Sequence, residues 1–461
     1  MDYFRIQGGR RLAGRVRVDG SKNAALPLLA AVLLTDQPIT LHNVPALTDI
    51  QNMLSLLREL GVEVTGESGT VRLQSVDENQ VHTRYEIVST MRASISVLGP
   101  MLARRRRAVI AMPGGCAFGE RPIDLHLRGM QALGASIALE SGDMSVTAPQ
   151  LKGATIFLGG PNGSTVLGTA NVMCAATLAK GTTIIECAAC EPEVVDLANM
   201  LIKMGAKIRG AGSARIVIEG VESLGGAEYT VMPDRIVAGT YAVAAAVTNG
   251  DVIIDDFPID CMLAVIDRFQ HIGVIVEQLD PYQDTMHATV RVTSTRLLKP
   301  TQITTQPHPG FPTDLQAQFM TLLCFAHGNS VITEKIYAER FLHVAELTRM
   351  GANLQRFGPT VVVSGGTQLK GAPVMASDLR ASASLVLAGL AAEGVTTISR
   401  IDYLDRGYHR LESTLNALGA CIERSHSAAA VETVAATGAQ MLEGKRMPTP
   451  APAPALSLAR G

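Results

Sequence analysis

One cysteine stands apart from the other six. Cys116 lies in Met112-Pro113-Gly114-Gly115-Cys116-Ala117-Phe118-Gly119-Glu120-Arg121-Pro122-Ile123-Asp124-Leu125-His126, a Gly-rich loop with Arg121 just downstream and a helix start behind it. A thiol beside fixed cations can have its pKa lowered into a range where it gives or takes a proton, and an exposed loop lets it reach a ligand. Cys174 and Cys324 sit in apolar runs, 173–176 and 322–326, and read as structural thiols. Cys187 and Cys190 have CxxC spacing, but without a second pair no metal site is expected.

Other charged residues fall in similarly marked places. In Gly20-Ser21-Lys22-Asn23-Ala24-Ala25 a turn sets Lys22 and Asn23 at the mouth of an apolar helix, where the helix N-terminus and a full charge both favour an anion. In Gly310-Phe311-Pro312-Thr313-Asp314-Leu315-Gln316, Thr313 or Asp314 is either an ordinary N-cap or, for Asp314, a catalytic carboxylate. Arg92, Arg340, Asp378, Arg380 and Arg406 belong to similar junctions. Singly, each is more often a salt-bridged surface group, and His126, His343 and His409 read as structural histidines. Together, a lysine and several arginines at equivalent ends of a repeated unit suggest a ligand bearing phosphate.

That repeated unit is the element that must position them. Leu60-Gly61-Val62, Leu133-Gly134-Ala135, Met204-Gly205-Ala206, Ile272-Gly273-Val274, Met350-Gly351-Ala352 and Leu418-Gly419-Ala420 recur at intervals of about seventy residues. Each glycine suits the left-handed residue that closes a helix, and an alternating strand pattern follows it. Upstream of each lies a second helix rich in small residues, at 23–34, 92–103, 169–179, 235–247, 314–326 and 379–392, whose composition predicts burial. β-branched strands follow these helices, as in 38–41, 182–185, 252–254 and 396–398. The expectation is an α/β (α+β) protein of six βαβαβ-like units in two sets of three: 22–233, and 1–21 with 234–424, joined at Met232-Pro233-Asp234.

Composition narrows the function classes. The 461 residues exceed one usual core, and 47% hydrophobic against 18% charged residues, with mean hydropathy +0.21, suit a well-buried globular protein. A net charge of −2 gives no bulk reason to bind nucleic acid, and the basic run 104–107 reads as a solvated loop. The start leads into Arg5, Arg10 and Arg11 without an apolar run, so neither a secretory leader nor membrane insertion is expected. Seven cysteines in no regular framework favour a reducing, cytoplasmic setting. Residues 425–461, with Pro448, Pro450, Pro452 and Pro454, are expected to be a disordered tail.

With these motifs assembled, the chain resembles the UDP-N-acetylglucosamine 1-carboxyvinyltransferase family over about residues 4–424. The resemblance rests on GSKNAALPLLAA, TMRASISVLGP, MPGGCAFGERPIDLHL, EPEVVDLAN, FPTDLQAQF, ERFLHVAELTRMGA and DLRASASLVLAGLAAEG followed by DRGYHRLE. It implies an inside-out α/β barrel with pseudo-three-fold symmetry in each of two domains, small-molecule substrates phosphoenolpyruvate and UDP-N-acetylglucosamine, and no cofactor or metal. Carried over by position, it makes Cys116 the acid that protonates the enolpyruvate methylene and Asp314 the acceptor of the sugar 3′-hydroxyl proton. Lys22, Arg121 and Arg406 would hold the phosphate and carboxylate, with Asn23 and Arg92 in the same cleft. The run Arg121, Pro122, Ile123, Asp124 and Leu125 would hold the UDP portion, with Ile336 and Tyr337 beside the uridine-sugar site and Arg340, Asp378 and Arg380 in support.

One segment departs from the family. Gly163-Ser164-Thr165-Val166-Leu167-Gly168-Thr169 stands where members more often have a lysine and a Ser-Val-Gly run that helps hold the diphosphate, and the lysine is absent. That keeps open a paralogue acting on another uridine nucleotide. Further alternatives are the shikimate-pathway enolpyruvyl transferase, which lacks this Cys loop, and a non-catalytic nucleotide-sugar sensor. A DNA-encircling clamp would line its hole with Lys and Arg, whereas these repeat helices are Ala-rich.

Overall fold

All six glycines that punctuate the repeat adopt positive φ, between 79° at Gly61 and 106° at Gly205, a region that costs a residue with a Cβ but not glycine. They terminate the helices Thr48–Glu59, Asp124–Ala132, Pro192–Lys203, Leu263–Ile272, Leu342–Arg349 and Leu411–Ala417. The computed structural model describes residues 2–66, 68–89, 91–111, 123–140, 142–280, 284–294 and 297–426.

The small-residue helices are Lys22–Ala31, Leu98–Arg105 preceded by the 3₁₀ segment Arg92–Val97, Val166–Thr177, Arg235–Val247, Gln316–Cys324 preceded by Thr313–Leu315, and Leu379–Ala391. Five of them are buried on nearly every face, as their composition predicts. Alanine, glycine and serine let them pack against one another in two groups of three. Cys174 and Cys324 point into this packing, and burial pushes both thiols up to about 12.

Around these helices stand six four-stranded sheets of one pattern: a parallel edge pair, then two antiparallel pairs. Each unit therefore has one strand more than the expected βαβαβ. The last strand, such as Thr360–Ser364, returns antiparallel to Asn353–Phe357 through a tight turn and inserts beside Asn329–Thr333. Hydrogen-bonding both sides of that strand leaves fewer open edges.

Chain crossings complete three of the sheets. Ala227–Thr230 pairs in parallel with Ile39–Val44 of the first unit. Ala13–Arg17 joins Asp251–Phe257 of the fourth, while Asp2–Gln7 lies between Val395–Ser399 and Ile422–His426 of the sixth. The hydrophobic core divides accordingly: one cluster runs from Ala24 to Met232, and the other takes Phe4 to Val18 with Ile236 to Ile422. The strand Ile422–His426 carries ordered structure two residues past the start of the expected tail, and the remainder, 427–461, lies outside the described residues.

The two connecting segments run side by side. Gly20 bridges Pro233, Ser21 N–H donates to the Met232 carbonyl at 2.7 Å, and Asp234 N–H donates to the Asp19 carbonyl at 2.9 Å. Gly20 is required by contact, since a Cβ there would sit 1.8 Å from the Asn43 carbonyl oxygen.

Candidate active site

The crossing sets two helix starts together. Ser21 caps Lys22–Ala31, its Oγ accepting from Ala24 N–H at 3.3 Å. Asp234 caps Arg235–Val247 with Oδ1, while its Oδ2 accepts from the Lys22 backbone N–H at 3.1 Å. One carboxylate thus serves the first residue of a helix in one core and the first turn of a helix in the other.

Lys22 projects from this junction, with Asn23 half-buried beside it. Its Nζ lies 3.2 Å from Asp49 Oδ2, and Asp49 Oδ1 accepts from Arg406 Nε at 3.0 Å. Lys22 also lies within electrostatic reach of Arg380 and Asp314. Burial pulls the Lys22 ammonium below its ordinary value, against the raising effect of Asp49.

Asp314 caps no helix; the first turn Thr313–Leu315 has no side-chain cap. Its two oxygens go to guanidiniums instead: Arg340 Nη1 donates to Oδ1 at 2.7 Å and Arg380 Nη2 to Oδ2 at 3.0 Å. Burial alone would raise this carboxyl, but Arg380 and Arg340 overcome it and hold Asp314 well below the usual carboxylate range. Arg380 Nη1 also donates to Tyr408 Oη at 3.2 Å, and Tyr408 shares a hydrogen bond with Thr240 at 2.9 Å. Asp378 supports from below by capping Leu379–Ala391, accepting from the N–H groups of Arg380 and Ala381.

Ile336 and Tyr337 are held by a buried residue that sequence reading passed over. Glu334 Oε1 accepts from their backbone N–H groups at 2.8 and 3.0 Å, and from Thr305 Oγ1 at 2.7 Å. Its Oε2 accepts from Thr313 Oγ1, next to Asp314, at 2.8 Å. A glutamate just past the end of a strand, Asn329–Thr333, carries no sequence signal of this role.

On the first core, Ile123 is buried, Asp124 is exposed in the first helical turn, and Leu125 lies against the hairpin Gly159–Gly160 and Gly163–Ser164. A Cβ on Gly163 would lie 3.6 Å from Pro307 of the second core, so this departing loop sits at the junction of the halves. Arg92 opens its 3₁₀ segment within reach of His126, which burial lowers to about 4 and whose Nδ1 pairs with Asn171 at 2.9 Å. His343 is buried too, but its Nε2 has no hydrogen-bond partner among the described residues. Cys116, Arg121 and Pro122 lie outside the described residues.

Six units of one pattern around two cores, with cations and a carboxylate gathered where the cores meet, define a two-domain α/β transferase of the enolpyruvyl transferase fold. Solved structures share it: the enolpyruvyl transferase NikO from Streptomyces tendae superposes with TM-score 0.82 at 24% identity, covering 92% of this chain and 99% of that one. EPSP synthase from Acinetobacter baumannii gives 0.72 at 20%, covering 92% and 100%. The family model for EPSP synthase (3-phosphoshikimate 1-carboxyvinyltransferase) matches residues 6–415. Curated relatives named UDP-N-acetylglucosamine 1-carboxyvinyltransferase are 49% identical in Lawsonia intracellularis, covering 92% of this chain and 100% of the relative, and 50% in Desulforapulum autotrophicum, with the same coverage. The chain belongs to the EPSP synthase family, among its UDP-N-acetylglucosamine 1-carboxyvinyltransferases.

Proposed function

We infer that this chain transfers the enolpyruvyl group of phosphoenolpyruvate to the 3′-hydroxyl of UDP-N-acetylglucosamine and releases phosphate, the first committed step of peptidoglycan precursor synthesis. The observation that carries the site reading is the grouping of Lys22, Arg406, Arg380 and Arg340, contributed by both cores, around the two carboxylates Asp49 and Asp314. The domains are read as 22–233 and as 1–21 with 234–424, closing on the substrates between them, in the cytoplasm. No helix among the described residues is long and apolar enough to cross a membrane.

In this reading Cys116 gives a proton to the methylene carbon of the enolpyruvate, which makes the adjacent carbon electrophilic. The sugar oxygen adds there and Asp314 accepts its proton. A carboxylate held so far below its usual range is a weak base toward a free hydroxyl. It serves because the hydroxyl becomes strongly acidic as its oxygen bonds to carbon, and because its fixed position orients the attack. The tetrahedral ketal then returns a methyl proton to the thiolate that the first step left on Cys116, the carbon–oxygen bond to phosphate breaks, and the double bond re-forms. Lys22, Arg121 and Arg406 balance the charge on the phosphate and carboxylate throughout, with Asn23 and Arg92 alongside. Ile123, Asp124, Leu125 and Ile336 line the nucleotide-sugar side with Pro122.

The test is phosphate release from phosphoenolpyruvate with UDP-N-acetylglucosamine, run beside shikimate 3-phosphate and UMP, for wild type and Cys116→Ser. Release with the UDP-sugar alone, depressed in the variant, is expected. Release with another acceptor reassigns the substrate, which the missing lysine at 163–169 makes worth measuring, and no release at all identifies a sensor.

A further inference from the structure

Asp49 belongs to no motif and no step above, yet it joins two of the three cations assigned to phosphoenolpyruvate, Lys22 and Arg406. It lies in the first turn of Thr48–Glu59, where an aspartate ordinarily faces solvent and complements the helix dipole. Here its side chain is only 4% exposed. Oδ2 faces Lys22 Nζ at 3.2 Å and Oδ1 faces Arg406 Nε at 3.0 Å. The lysine comes from the first core and the arginine from the 3₁₀ segment Ile401–Arg406 of the second. We propose that Asp49 is a positioning residue for the transfer reaction, a two-oxygen spacer that fixes the separation of Lys22 and Arg406 across the two cores so that both meet the anionic groups of phosphoenolpyruvate.

The geometry suits a spacer better than a competitor for the ligand. Asp49 engages Arg406 through Nε, on the stem side of the guanidinium, and among the described residues the terminal nitrogens carry no hydrogen bond. An ammonium has three donors, and Asp49 takes one of Lys22's. Each cation is therefore anchored on one side with donors left over. The anchoring also offsets burial, since Lys22 is desolvated beside Arg380 and the carboxylates that raise it are Asp49 and the more strongly engaged Asp314. Asp234, the remaining carboxylate near Lys22, meets its backbone N–H.

This inference rests on the assignment of Lys22 and Arg406 to phosphoenolpyruvate, and the experiment separates the two. Initial rates are measured against each substrate for wild type, Asp49→Asn, Asp49→Glu, Lys22→Ala, Arg406→Ala and the Asp49→Asn/Arg406→Ala pair. Asp49→Asn should raise KM for phosphoenolpyruvate about tenfold, the size of an ordinary coupling between contacting charges, and leave KM for UDP-N-acetylglucosamine within about twofold. It should also move the alkaline limb of kcat/KM for phosphoenolpyruvate to lower pH, because Lys22 loses the partner that raises it; a merely structural role would not do this. Asp49→Glu keeps the charge at altered spacing, so it should raise the same KM by a smaller factor with the limb unmoved, and it decides the matter if Asp49→Asn does not fold. In the Arg406→Ala background, Asp49→Asn should add less than it does alone. Equal changes in both KM values, or a silent Asp49→Asn beside impaired Lys22→Ala and Arg406→Ala, overturn the proposal. Unchanged KM for phosphoenolpyruvate in Lys22→Ala and Arg406→Ala would instead overturn the site assignment beneath it.

Discussion

Arg235 and Glu193 meet across the boundary between the two cores, Nε to Oε1 at 2.9 Å and Nη2 to Oε2 at 3.2 Å, with both side chains at most 10% exposed. Burial would lower the guanidinium, but Glu193 more than reverses this. Glu191 lies close by, accepting from the His308 backbone N–H at 3.3 Å. Losing one partner of such a pair strands a buried charge. Arg235→Ala or Glu193→Ala alone should cost about 3–5 kcal/mol. The double variant should cost less than the sum. Urea midpoints of the four proteins check this, and strict additivity would contradict the pairing.

Asp314 should be ionised throughout the working range. Its folded pKa is depressed, so the stability it contributes is present above the ordinary carboxylate value and is lost only as pH falls through the depressed one. The acid side of the pH–rate profile should therefore not report Asp314 above about pH 4. Asp314→Asn keeps an acceptor for one guanidinium and should still fold, with kcat lowered by about 10²–10⁴. An Asp314→Asn enzyme with near-normal kcat would remove Asp314 from the chemistry.

Asp196 behaves in the opposite sense. Burial raises its carboxyl to about 6, although Tyr229 O–H donates to it at 2.7 Å. The folded protein keeps this proton to higher pH than the unfolded chain does. The associated stability is present below about pH 4 and is lost as pH rises through about 6, by up to about 3 kcal/mol. Relative to Asp196→Asn, which does not titrate, wild type should lose stability between pH 5 and pH 8. A difference in urea midpoints that stays constant across that range would contradict the shift.

Cys116→Ser should lose most turnover, and an epoxide phosphonate that mimics phosphoenolpyruvate should alkylate Cys116 alone. Cys174 and Cys324 are buried, with thiols pushed up to about 12, and cannot compete as thiolates. Peptide mass mapping of the inhibited protein locates the adduct. Full inhibition with Cys116 unmodified would contradict this role.

Much of the fold was legible because it is built from local rules repeated six times. A glycine closing a helix, an Ala-rich buried helix and a β-branched strand each follow from backbone sterics and burial, so their recurrence exposes the unit. The extra antiparallel strand was less visible, since segments such as Thr360–Ser364 alternate like any strand and nothing local says which neighbour they insert beside.

The site divides along the same line. Residue types in marked turns brought forward Lys22, Asp314, Arg340, Arg380 and Arg406, and the structure gathers these five with Asp49. Sequence reading left Asp314 open between helix cap and carboxylate, because both need an acidic side chain at a helix start. Only tertiary structure ruled out the cap, by delivering Arg340 and Arg380 to its two oxygens from 26 and 66 residues away. Asp49 and Arg406 are 357 residues apart, and no pattern along the chain encodes their meeting. The sequence alone determined the repeating unit, its buried faces and the kinds of charge available. Which charges face one another depended on how two cores, joined by paired segments at Gly20 and Pro233, are set side by side, because electrostatic contact depends on distance in space and not along the chain.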